Sequence, residues 1–238
     1  MLGGSVGPVA SYNSNALWLR SPTEVAAEAL ELIAEGDFKA LKFRMGRERL
    51  SDDLATAQAL RDTLDDNIEL MVDFNQGMDM AEALSRCHAI DDLDLVWIEE
   101  PIIYNDFGGY AKLASELKTP LQIGENFYGV QDMYKALDAK ACDLVMPDFM
   151  RIGGVTGWLQ AAGLAAAANI PMSTHLYPEV AAHVMRVTRT AHLLEWQDWA
   201  EAVLAEPYQV VKGELEIPDR PGLGLDWDEE AVARYQIE

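Results

Sequence analysis

Short apolar, β-branched runs alternate with alanine-rich amphipathic stretches along nearly the whole chain, and almost every run ends on an ionisable residue. Continuous apolar runs are expected of strands buried on both faces, and parallel neighbours require crossover helices between them. Eight runs fit: VGPVASY, KALKFR, IELMVD, LDLVWIE, PLQIGE, CDLVMP, IPMSTH and AHLLEW. Helices are expected at 23–35, 48–64, 79–90, 107–117, 130–139 and 154–168. Eight such strands predict a closed α/β barrel, a fold that commonly fills a chain of 238 residues as one domain. No strong helix follows the last strand; AEPYQVVKGELEIPDRPGLG reads as short strands and turns packed across the barrel end.

The ionisable residues recur in phase with the strands. Asp73, Glu99 and Glu125 close ELMVD, LVWIE and LQIGE at two equal intervals of 26 residues, 73 to 99 and 99 to 125, about one βα unit. The three acids therefore fall at the same end of three successive strands. Converging carboxylates repel unless a cation neutralises them, and hard oxygen donors with positions left for water and substrate suit Mg²⁺. Lys42 and Arg44, two apart in KALKFR, point to the same side and would form a cationic wall. Asp148, His175 and Glu195 follow at intervals of 23, 27 and 20 residues, so strands two to eight each offer polar groups at one end. Catalytic residues of such barrels come from the C-terminal ends of several strands.

These residue types suggest one chemistry. A metal beside a cationic wall would hold a small carboxylate, and loss of its α-proton would shift charge onto the carboxylate oxygens as an enediolate. His175, oriented and made more basic by Asp148, would serve one face of the α-carbon, with Lys42 or Arg44 lining the other. Glu195, if kept protonated by its acidic surroundings, could donate a hydrogen bond to the second carboxylate oxygen.

Composition narrows the partners. A formal charge of −22, from 18 basic and 40 acidic residues, disfavours nucleic acid and anionic membrane. Most of these acids lie in stretches such as DDLATAQALRDTLDD, which read as solvated helix faces. No run approaches a membrane span, the N-terminus MLGGSVGPVA has no signal-like core, and Cys87 and Cys142 form no pairing motif. A reduced, cytoplasmic protein is the expectation.

The segments VDFNQ, WIEEP, GEN, MPDFMRIGGVTGW, IPMSTHL and TAHLLE, taken together, resemble the barrel domain of the mandelate racemase subgroup of the enolase superfamily, over Tyr12 to Trp227. The resemblance implies a (β/α)7β TIM-like barrel with Asp73, Glu99 and Glu125 as Mg²⁺ ligands. It further implies the Asp148/His175 dyad as acid/base and Glu195 as hydrogen-bond donor to the substrate. Ser14 and Asn75 would line the substrate pocket, although turn or core hydrogen bonding accounts for both equally well. A homo-oligomer is also in view, because barrels of this family commonly assemble.

Two departures qualify it. Members usually carry K-x-K on the second strand, the second lysine being the base opposite the histidine; here that position is Arg44. Arginine's reference pKa lies about 2–3 units above lysine's, so freeing its base form costs roughly 3–4 kcal/mol more. Members also carry an N-terminal α+β capping domain over the strand ends, and that domain is expected to be absent from this chain. Residues 1–10 then read as a linker remnant, 1–238 as a single barrel domain, and 197–238 as its C-terminal segment. The leading functional expectation is a mandelate-racemase-like abstraction of the α-proton of a 2-hydroxy carboxylate. The alternatives are a sugar-acid dehydratase working through His175 and a truncated, catalytically inactive barrel. His88, His183 and His192 are expected to pack or sit at the surface, Trp97 and Trp158 to belong to the core, and GGVTG (153–157) to make a tight turn.

Overall fold

The computed structural model of the chain describes residues 2–236. Parallel strands β1 (Pro8–Asn13), β2 (Ala40–Arg44), β3 (Glu69–Asp73), β4 (Leu95–Glu99), β5 (Leu121–Ile123) and β6 (Leu144–Val145) pair in sequence order. Strand β7 (Leu194–Trp196) returns to pair with β1, Tyr12 lying opposite Glu195. The seventh run, IPMSTH, keeps only single bridges, Val145 to Met172, Asp148 to His175 and Met172 to Ala191, and these close the barrel between β6 and β7. Proline at 171 cannot donate to a ladder, so this stave is held by a few bonds such as Ser173 N–H to the Val145 carbonyl at 2.8 Å.

Helices α1 (Pro22–Gly36), α2 (Leu50–Thr63), α3 (Met80–Ile90), α4 (Phe107–Glu116), α5 (Val130–Asp138) and α6 (Gly154–Ala168) fall within two residues of the expected bounds. Their starts follow local chemistry. Ser21 accepts from the Glu24 N–H while Glu24 reaches back to the Ser21 N–H, and the Asp79 and Asp106 side chains cap α3 and α4 by accepting from the Glu82 and Gly109 N–H groups. A further helix, α7 (Pro178–Met185), follows the seventh stave. No described helix is long and apolar enough to cross a membrane.

β1 begins at Pro8, inside the stretch read as a linker. Its first half pairs antiparallel with β9 (Glu214–Glu216), which forms a hairpin with β8 (Gln209–Val211). That hairpin lies at the end of β1 remote from the acids; a short α8 (Glu229–Arg234), not expected from the sequence, follows it.

Two apolar layers result. The larger lies between strands and helices, while Tyr12, Ala40, Met71, Trp97 and Leu144 fill the barrel interior. Tyr12 and Trp97 meet edge-on at 5.2 Å and plug the barrel beneath the charged end.

One acid of the solvated-face reading is not solvated. Asp53 is fully buried, accepts from the Gly46 and Arg47 N–H groups, and pairs with Arg47 at 3.1 Å and Arg86 at 3.0 Å. Arg47 also donates to the Arg20 carbonyl at 2.7 Å, so the cluster ties the loops after β1 and β2 to α2 and α3. Asp53→Ala would remove the only carboxylate that Arg47 meets and leave the buried Arg86 with Glu82 alone. It is expected to lower stability by roughly 3–5 kcal/mol, read from urea unfolding; an unchanged midpoint would show that the cluster holds nothing together.

Candidate metal and proton-transfer site

Register builds the site. Arg44 pairs with Asp73 and Asp73 with Glu99, so the three lie side by side at the C-terminal ends of β2, β3 and β4. Glu125 follows β5, and ligand oxygens of Asp73, Glu99 and Glu125 lie within 4.8 Å of one another. The expected triad is therefore brought together.

Lys42 supplies the countercharge. Its Nζ lies 2.7 Å from Glu99 Oε1, 3.0 Å from Glu195 Oε1 and 3.6 Å from Asp73 Oδ2, with 1% of the side chain exposed. Burial pushes the ammonium down, but Glu195, Glu99 and Asp73 together raise its pKa well above the usual lysine range, so it stays charged. Glu99 moves up: burial and Asp73 outweigh the help of Lys42. When all four carboxylates, Asp73, Glu99, Glu125 and Glu195, are ionised, Lys42 and Arg44 offset two of them and two negative charges remain, which with burial is what pushes Glu99 up in the absence of a further cation. A dication of hard character fits that balance and that donor set.

Glu195 corrects an expectation. Burial pushes its carboxyl up, but the Lys42 and His175 charges more than offset this and hold it well below the ordinary range. Its Oε2 also accepts from the Leu176 N–H at 2.8 Å. It is an ionised acceptor here rather than a protonated donor, because the sequence could not place Lys42 against it.

His175 Nδ1 lies 2.8 Å from Asp148 Oδ2, and Asp148 Oδ1 accepts from the Met150 and Arg151 N–H groups. An ionised aspartate only accepts, so Nδ1 keeps its proton and Nε2 is the nitrogen that gains or gives one up. Nε2 faces the triad, 3.4 Å from Glu125 Oε2. Burial lowers the His175 pKa, but the Asp148 bond and the Glu195 and Glu125 charges raise it overall. Asp148 is lowered by His175 and the Arg151 N–H against its own burial.

Arg44 sits on the other side. Nε is 3.5 Å from Asp73 Oδ2, and the guanidinium lies 5.0 Å from the ring of Trp18. Asn75 is exposed and turns its amide back to Asp73 Oδ2 at 3.0 Å, its N–H reaching Oδ1 at 2.7 Å, so it orients a ligand. Ser14 is buried at the end of β1, its hydroxyl without a partner.

Other residues join the site that sequence reading passed over. Trp97, expected only to fill the core, donates its indole N–H to Glu99 Oε2 at 3.0 Å; the W-x-E spacing, which puts both on one side of a strand, was the available signal. Arg151 spans to the Glu125 carbonyl at 2.7 Å and Asn126 Oδ1 at 2.9 Å. Asn126 donates in turn to Glu100 and Glu125. Glu100 is buried and, under burial and the Glu125 charge, is pushed up to about 9. The remaining histidines stay outside: His88 meets Glu116 at the surface, His183 bonds Tyr208, and His192 bonds Ser173. In GGVTG a Cβ at Gly157 would lie 1.9 Å from the Ile152 carbonyl oxygen, so the turn itself demands that glycine.

A parallel eight-stave barrel gathers three carboxylates able to hold a cation, a buried lysine and a histidine–aspartate pair at its C-terminal strand ends. Residues 24–231 match the model of the family described as enolase C-terminal domain-like, and the chain belongs to that family. It is 29% identical to L-talarate/galactarate dehydratase of Salmonella typhimurium, over 100% of this chain and 60% of that protein. It is 31% identical to 3,6-anhydro-alpha-L-galactonate cycloisomerase of Streptomyces coelicolor, over 98% of this chain and 65% of that protein. An enolase from alpha proteobacterium bal199, solved with bound magnesium, superposes with a TM-score of 0.97 at 64% identity, covering 98% of this chain and 65% of that one. The chain thus spans about three fifths of the length of the curated relatives it matches.

Metal affinity tests the inner shell and its supports separately. Glu99→Gln and Asp73→Asn are expected to abolish Mg²⁺ binding in calorimetric titration. Trp97→Phe and Asn75→Ala remove only supporting hydrogen bonds and are expected to weaken binding about 10- to 100-fold. Wild-type affinity in Glu99→Gln would remove Glu99 from the ligand set.

Proposed function

We propose that this chain is the catalytic barrel of a Mg²⁺-dependent enzyme that takes the α-proton of a 2-hydroxy carboxylate and expels its β-hydroxyl, a sugar-acid dehydratase. The observation that carries this reading is the His175–Asp148 contact at 2.8 Å with Nε2 facing the triad, opposed by a guanidinium rather than an amine. Bound Mg²⁺ would polarise the substrate carboxylate and make the α-proton more acidic. Lys42, held charged among Glu99, Glu195 and Asp73, places a further positive charge beside the carboxylate. His175 Nε2 accepts the α-proton, and Asp148 stabilises the imidazolium. The same imidazolium then returns a proton to the departing β-hydroxyl, which leaves as water; the enol that remains gains a proton at C3 and loses its C2 hydroxyl proton to give the 2-keto acid, so the elimination needs one base on one face.

Racemisation is the second reading. It is supported by a 43%-identical enolase from Bradyrhizobium, solved with magnesium and mandelic acid, which superposes with a TM-score of 0.94 over 100% of this chain and 65% of that one. It would require Arg44 to act as a base. The cytoplasm is the proposed location, in keeping with Cys87 and Cys142, which are both buried and free.

Incubation with α-hydroxy and aldonic acids in D₂O with Mg²⁺ separates the readings. Dehydration yields a 2-keto acid and racemisation yields α-deuteration with inversion, whereas neither product from any acid would leave a barrel that turns nothing over. Arg44→Lys is expected to raise inversion if any occurs. Because Asp148 holds the His175 pKa up, the free base accumulates only as pH rises through that raised value, and the rate climbs there. Asp148→Asn is expected to move this limb to lower pH and to cut kcat by about 10²-fold or more; an unmoved limb would assign the titration to another group.

A further inference from the structure

We propose that Arg44 is a substrate-binding donor and Trp18 its positioning residue: the guanidinium takes an oxygen of the substrate beyond the C1 carboxylate and the C2 hydroxyl. That oxygen belongs to a further hydroxyl or a second carboxylate. The assignment rests on the reading of the site as a carboxylate pocket in which Mg²⁺ and Lys42 hold C1.

Arg44 is 6% exposed, yet its Nε and Nη1 are buried without a hydrogen-bond partner. The nearest anion, Asp73 Oδ2 at 3.5 Å from Nε, already accepts from Asn75 at 3.0 Å. A buried charged donor left unpaired is costly, and arginine presents its donors as a rigid planar fork suited to oxygen acceptors. The Arg44 Cζ lies over the ring of Trp18, itself 53% exposed, at 5.0 Å, and because guanidinium donors lie in the plane of the group an acceptor must meet them edge-on. The stack is built in. The Arg44 N–H donates to the Leu17 carbonyl at 3.1 Å, while Leu17, at φ 50°, donates its own N–H to Glu28 at 3.1 Å. Ser14 adds a buried hydroxyl without a partner at the end of β1; alternation from Tyr12, which fills the barrel interior, turns it to the same side. A pocket that offers donors to a substrate oxygen discriminates against analogues lacking it, because binding them leaves the donors unpaired.

The test uses the full chain at saturating Mg²⁺ and three probes: lactate, with no oxygen beyond C2; glycerate, with a C3 hydroxyl; and malate, with a second carboxylate. Calorimetry is expected to show glycerate or malate binding at least 10-fold more tightly than lactate, and which of the two is preferred identifies the oxygen's source. Arg44→Met is expected to bring all three within about twofold. Trp18→Ala, at an exposed position where folding is little at risk, is expected to lower the preference several-fold with lactate affinity unchanged. The fluorescence difference between wild type and Trp18→Phe should respond to the preferred ligand and not to lactate. Equal affinities in wild type, no binding of any probe, or a full preference retained in Arg44→Met would overturn the assignment to Arg44; a full preference in Trp18→Ala would overturn the positioning role. A binding preference with neither 2-keto acid formation nor α-proton exchange from any acid in D₂O would remove the proposed reaction and leave this assignment supported.

Discussion

The Lys42 ammonium, 1% exposed and between 2.7 and 3.6 Å from Glu99, Glu195 and Asp73, is the contact on which the barrel's upper end depends. Taking one charge out of water costs several kcal/mol, of the order of its pairing energy, and here four charges are buried together. Such an arrangement persists only if each group meets an opposite charge in good geometry. Lys42 meets three carboxylates, and these in turn tolerate one another only because Lys42 lies among them. The two negative charges left after Lys42 and Arg44 are counted make the cluster a receptor for a divalent cation.

The apolar scaffold makes this geometry repeatable. Tyr12 and Trp97 plug the barrel below, and the Lys42 Nζ rests 5.7 Å from the Tyr12 ring centre, so the ammonium cannot sink. Trp97 also bonds Glu99, which joins the plug to the ligand shell. At the periphery, Asp53 with Arg47 and Arg86 ties down the loops after β1 and β2 that carry Trp18 and flank Arg44. The two proton-relevant faces then differ in kind. His175, backed by Asp148, presents a nitrogen that gains or gives up a proton, whereas Arg44 presents donors only.

Much of this was legible because barrel periodicity is written in sequence. A parallel strand buried on both faces leaves a continuous apolar run, and its C-terminal end is where a polar residue can reach the mouth, so Asp73, Glu99, Glu125, Asp148, His175 and Glu195 announced themselves by phase. Asp53 did not: its acid sits in a helical stretch whose pattern matches a solvated face, and only Arg47 and Arg86 arriving from other elements make it a buried node. Trp97 was legible as core and not as a ligand's partner, since an indole serves both roles with one periodicity. The seventh stave was read as a strand but survives as a few bridges, because Pro171 and the short reach of β6 limit its ladder.

The amino-acid order by itself determined the barrel, the end of it that carries chemistry, and the residue types gathered there. These follow from strand and helix periods, which are local. Protonation state and direction were decided by tertiary structure alone, because they depend on charges brought together across tens of residues. Glu195 became an ionised acceptor only when Lys42 came within 3.0 Å of it, Asn75 turned its amide back to Asp73, and Arg44 was left with buried, unpaired donors beside Trp18. Sequence spacing names which groups meet; distance and burial decide what each can give or accept.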